Sequence, residues 1–74
     1  SLWCTIWRTT DERPQDNTTI VLCNAAMVQY AFYKSGMCYY EGYSCSLSSF
    51  SGHWCYKADL WGISPESASY YKVE

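Results

Sequence analysis

Apolar positions along this chain fall in short runs separated by polar turns, the pattern of a small sheet. Residues 2 to 7 (Leu-Trp-Cys-Thr-Ile-Trp) are apolar and β-prone, and they read as a strand. A polar stretch from Arg8 to Thr18 follows; it holds Pro14 and three acids, and reads as a loop. Residues 19 to 24 (Thr-Ile-Val-Leu-Cys-Asn) are too short for a helix and rich in β-branched side chains, so they form the best strand. A turn at Asn24-Ala25-Ala26 leads to a return strand over residues 27 to 33. Lys34-Ser35-Gly36 then supplies a three-residue hairpin loop, with Gly36 at its left-handed position, and residues 37 to 40 pair back as the third strand of a meander.

This register makes specific pairings. A two-residue loop at 25 and 26 sets Val21 opposite Tyr30, and a loop at 34 to 36 sets Tyr30 opposite Tyr40. One face then carries Val21, Cys23, Val28, Tyr30, Phe32, Cys38 and Tyr40, and the other Ile20, Leu22, Ala31, Tyr33, Met37 and Tyr39. Both faces are apolar. Such a sheet must be covered on both sides, by the ends of the chain or by another protein, which points to a protein partner or a homodimer.

Glu41 to Gly52 is rich in Ser and Gly and reads as a loop, after which His53-Trp54-Cys55-Tyr56 adds a strand. Ser64-Pro65-Glu66 resembles a helix start, with Ser as cap and Pro in the first helical position. The expected fold is one small, mainly β domain over residues 1–74, an antiparallel meander of three to five strands with an irregular C-terminal segment. Ser1-Leu2, with no Met, reads as a remnant of expression, and Glu74 as the start of a trimmed tag.

Composition sharpens this picture. A chain of 74 residues buries only about 60% of its unfolded surface, so large side chains must do most of the burying. Eight Tyr, four Trp and two Phe supply them. Trp3, Trp7, Trp54 and Trp61 read as core filler, with a surface patch as the alternative. The net charge of -2, with five scattered Lys and Arg, lacks the basic footprint of a nucleic-acid binder. The apolar runs are far below the ~20 residues of a membrane span, and the chain reads as cytoplasmic.

Cys4, Cys23, Cys38, Cys45 and Cys55 are odd in number, and no secretory signal precedes them, so buried thiols are expected rather than disulfides. The register above puts Cys23 and Cys38 on one face but roughly 13 Å apart, too far to bridge. His53 and Cys55 would share a face, and Cys38 or Cys45 could complete a zinc-like set. However, the gaps are irregular and no C-x-x-C occurs, so no metal ligand, cofactor or catalytic residue is assigned. Thiol catalysis needs a base beside a Cys, and the single His stands apart from Cys55 by Trp54. Asp11, Glu12, Asp16, Glu41, Asp59 and Glu66 lie in polar segments, where solvated surface charge is the ordinary role.

Trp7, Asp11-Glu12-Arg13-Pro14, Asp16 and Ile20-Val21-Leu22 together resemble the opening of domain-of-unknown-function family 551, small domains of bacteria, bacteriophages and prophages. The strand at 27 to 33 with its Lys34-Ser35-Gly36 turn is similar to the family's next part, and Trp61-Gly62-Ile63-Ser64-Pro65 to its close. The resemblance spans about residues 7–40 and 61–65, with Ser64 in place of the family's closing Leu. It implies a small β-rich domain in a bacterial or phage setting and names no activity. The function expected from the sequence is a non-catalytic protein-binding or self-associating module, with a zinc-stabilised regulatory module as the alternative and a small enzyme third.

Overall fold

The computed structural model describes residues 7 to 60, which form a mainly β structure. Six strands make one antiparallel sheet: β1 (Arg8–Thr9), β2 (Thr18–Cys23), β3 (Val28–Lys34), β4 (Met37–Tyr40), β5 (Tyr43–Ser46) and β6 (His53–Tyr56). Their order is β1-β6-β2-β3-β4-β5, so β6 crosses back to lie between the two earliest strands. Short 3-10 turns, Leu47–Ser49 and Lys57–Leu60, follow β5 and β6.

β2 is central because its run of β-branched and apolar residues can be buried on both faces. Ile20, Val21 and Leu22 are fully buried, and Cys23 nearly so. On the first face, Ile20, Leu22, Ala31, Tyr33, Cys38 and Trp54 pack with Leu47. On the second, Val21, Cys23 and Cys55 pack with Trp7 and Leu60. Chain segments outside the sheet thus reach both faces.

The segment between β1 and β2 is pinned by hydrogen bonds to the sheet. The Trp54 indole Nε1 donates to the carbonyls of Thr9 at 3.0 Å and Glu12 at 3.2 Å, and the Gln15 amide donates to the Tyr56 hydroxyl at 2.9 Å. At its far end, the Ser35 amide donates to an Asp16 carboxylate oxygen at 2.6 Å, tying this segment to the β3–β4 turn. A buried tryptophan needs such a partner for its N–H, and here the partners lie more than 40 residues away in sequence.

The β2–β3 pairing agrees with the sequence: Val21 is opposite Tyr30. Asn24 makes the turn, its side-chain oxygen accepting from the amides of Ala26 and Met27. The β3–β4 pairing differs by one residue. Lys34 pairs with Met37, leaving a two-residue turn at Ser35 and Gly36 with φ of 51° and 83°. Both values are positive, as a type I′ turn requires. A slip of one residue exchanges the faces of a strand, so Cys38 and Tyr40 lie on the first face and Met37 and Tyr39 on the second. Tyr30 is therefore not opposite Tyr40, and Cys23 and Cys38 occupy opposite faces.

Two other expectations change. Within the segment from Glu41 to Gly52, β5 pairs along the whole of β4, after a second two-residue turn at Glu41 and Gly42 with φ of 47° and 78°. Within the polar stretch after Trp7, Arg8 and Thr9 pair with Trp54 and His53. Of the strand expected at residues 2 to 7, Trp7 is described and lies just before β1, outside any strand; residues 2 to 6, and the helix start at Ser64-Pro65-Glu66, lie outside the described residues.

Candidate functional site

The second face divides into two halves. Around β2 and β6 it is sealed, with Trp7 and Leu60 over Val21, Cys23 and Cys55. Across β3 and β4 it is open. Tyr30, Phe32 and Tyr39 are 43%, 42% and 47% exposed, although Val21, directly opposite Tyr30, is fully buried. Alternation along β3 sends Tyr30 and Phe32 outward while Ala31 and Tyr33 enter the core. Tyr39 sits opposite Phe32 on β4 and extends the strip across the strand boundary.

Lysines border this strip. The Lys57 ammonium lies 5.1 Å from the centre of the Tyr30 ring, a cation-π distance, and Lys34 follows Phe32 by two positions on the same face. Three aromatic side chains of roughly 150–250 Å² each, a little under half exposed, present about 200–350 Å² of apolar surface. That is close to the size of the largest apolar patch on an ordinary monomer, a patch that is often functional.

The sequence-level candidates do not converge. His53 and Cys55 share the second face on β6, as expected, and Cys23 stands opposite His53. Cys38 and Cys45 face each other on the first face, with β2 and β3 between β6 and β4. At about 4.8 Å per strand Cys38 is roughly 14 Å and Cys45 roughly 19 Å from β6, both on the other side of the sheet, so the four candidate ligands cannot meet at one ion. Among the described residues, no three His, Cys, Asp or Glu side chains gather as a metal site.

Two buried thiols, Cys38 and Cys55, also lack activation. Burial, assisted by Cys45, pushes the Cys38 thiol up from 9.0 to about 11. Burial, then the nearby Asp59 and Cys23, pushes Cys55 up from 9.0 to about 12 against the opposing pull of Arg8. A nucleophilic cysteine needs the reverse shift.

Two further features have structural roles. Arg8 lies 5.6 Å from the Trp54 ring centre and 5.3 Å from that of Tyr56, and its guanidinium is 3.5 Å from Glu12. The guanidinium thereby sits against the Trp54 and Tyr56 rings at the β1 edge of the sheet. An open groove of about 360 Å³ is lined by Gln15, Thr18, Thr19, Tyr56, Ala58 and Asp59. Asp59 is the carboxylate in that lining, without a second acid or a histidine to make an acid-base pair.

The aromatic excess therefore splits between both readings. Trp7, Trp54 and Tyr33 fill the core, whereas Tyr30, Phe32 and Tyr39 make a surface strip. Trp3 and Trp61 lie outside the described residues. No helix among the described residues is long and apolar enough to cross a membrane. Comparison with family models, with curated proteins and with solved structures finds no match.

Proposed function

We propose that this chain is a non-catalytic protein-binding module that associates, in the first instance with a second copy of itself, through Tyr30, Phe32 and Tyr39. The observation that carries this reading is the open strip of three neighbouring aromatic side chains on one face of β3 and β4, beside a sealed half of the same face; Tyr43, 68% exposed on β5, lies on the other face. Tyrosine and phenylalanine held on a strand provide large contact area at little entropic cost, and aromatic side chains are enriched at interface cores. A flat strip can meet its own copy across a two-fold axis.

Size sets the strength. A stable interface buries about 800 Å² per partner, more than the strip alone offers, so the contact is weak or extends onto neighbouring residues. Within the same proposal, the resemblance of residues 7–40 to family 551 favours a bacterial or phage setting, and apolar runs far shorter than a membrane span favour a cytoplasmic location.

Sedimentation velocity over a wide concentration range tests the reading with native chain and Phe32→Ser. Reversible self-association that Phe32→Ser abolishes, with the melting temperature kept, supports it. A strictly monomeric native chain, together with a large loss of melting temperature in Phe32→Ser, would mean that the strip is covered by the chain itself.

A further inference from the structure

Cys38 on β4 and Cys45 on β5 are direct cross-strand partners. The two-residue turn at Glu41 and Gly42 sets the phase of this hairpin: Tyr40 and Tyr43 flank the turn as a hydrogen-bonded pair, and two residues further on so do Cys38 and Cys45. Residues in such pairs have Cα atoms about 5.5 Å apart, within the Cα range that a disulfide spans, with side chains on the same face; their Cβ atoms stand at the wide end of cross-strand spacing, so closing a bridge needs a small inward shift of the edge strand. Cys23 and Cys55, by contrast, are offset: Cys55 is opposite Val21, and Cys23 is opposite His53.

The two sulfurs differ in access. Cys38 is fully buried, whereas Cys45 is half-buried on β5, the outermost strand at its end of the sheet. The Tyr40 hydroxyl lies 4.0 Å from the Cys45 sulfur. An edge strand held on one side opens more readily than a central one.

We propose that Cys38 and Cys45 form a thiol-disulfide pair, oxidised to a cross-strand bridge by exchange with a small-molecule disulfide of the glutathione type. Cys45 gives its proton to solvent and its thiolate attacks one sulfur of the small disulfide. The sulfur-sulfur bond breaks, one half leaves as a thiol after taking up a proton, and the other half stays on Cys45 as a mixed disulfide. Cys38 then loses its proton and attacks the Cys45 sulfur, expelling the second half as a thiol. In sum, two protein thiols become one disulfide while one small disulfide becomes two thiols. The elevated pKa of Cys38 makes the second step the slower one at neutral pH and speeds it as pH rises toward about 11. The closed bridge ties the exposed edge strand to the sheet and, through it, the buried Leu47 that follows β5.

The test is to incubate the folded, reduced full chain with oxidised glutathione, then to record its intact mass and map peptides cut after Leu, Phe, Tyr and Trp, which puts Cys23, Cys38, Cys45 and Cys55 on separate peptides. The expected product has lost two hydrogens, links the peptides holding Cys38 and Cys45, melts at a higher temperature and reverts with dithiothreitol. Cys38→Ala should stop at one glutathione on Cys45, and Cys45→Ser should leave Cys38 unmodified. A bridge between other cysteines, a native chain that halts at the Cys45 adduct, or a Cys45 that never reacts would overturn the proposal.

Discussion

Phe32 and Tyr39 stand directly opposite each other across β3 and β4, yet they remain 42% and 47% exposed, while Tyr33, the next residue along, is 5% exposed. Replacing Phe32 or Tyr39 with Ser should therefore cost about 1 kcal/mol or less, the worth of one cross-strand aromatic contact. Tyr33→Ala should cost about 3–5 kcal/mol, because it empties a core site. Urea unfolding of the three variants checks the contrast.

Gly52 has no room for a side chain. A Cβ there would lie 2.3 Å from the Cys23 carbonyl oxygen and 2.7 Å from the Phe50 ring. The Asn24 side-chain Nδ2 donates to the Ser51 carbonyl at 3.2 Å and holds the backbone before β6 against the β2–β3 turn. Gly52→Ala should lose about 1–3 kcal/mol through overpacking, read from the denaturation midpoint.

Alkali should unfold the chain through its buried thiols. Cys38 and Cys55 are raised from 9.0 to about 11 and about 12 in the folded state. A raised folded pKa contributes stability that is fully present below the unfolded value and is lost as pH climbs through the folded one. Stability should thus be insensitive to these groups below about pH 8 and should fall between about pH 9 and 11, with a slope approaching two protons. Unfolding midpoints at pH 8 and pH 10.5, compared with those of Cys55→Ala, measure the effect; an unchanged stability in the native chain would contradict it.

Glu41 occupies a left-handed position, with φ of 47°, in the turn it shares with Gly42. Asn-Gly suits such a turn better than Glu-Gly, because Asn tolerates positive φ. Glu41→Asn should raise stability by about 0.5–1 kcal/mol, seen as a higher melting temperature.

The β2–β3 hairpin could be read from the sequence because Asn24 marks its turn and the apolar run at Ile20 to Cys23 leaves little choice of register. The β3–β4 register could not be read so directly. Lys34-Ser35-Gly36 suits a three-residue loop, and only the positive φ of Ser35 reveals the two-residue turn. That single slip hid the candidate site, since it put Tyr39 on the face opposite Phe32 and separated Cys38 from its true environment. β5 escaped notice because an exposed edge strand of Tyr, Ser, Cys and Ser carries no apolar alternation. The insertion of β6 between β1 and β2 is a long-range choice, driven by the fit of Trp54 and Cys55 to the two faces of β2, and no local signal announces it.

The central claim is that the strip of Tyr30, Phe32 and Tyr39 is a docking face, and amide chemical shifts recorded by NMR during serial dilution test it most directly. Concentration-dependent shifts centred on Tyr30, Phe32, Met37 and Tyr39, with Ile20, Leu22 and Trp54 unmoved, are the expected result. Shifts centred on the first face, or on the β1 edge instead of the strip, would contradict it.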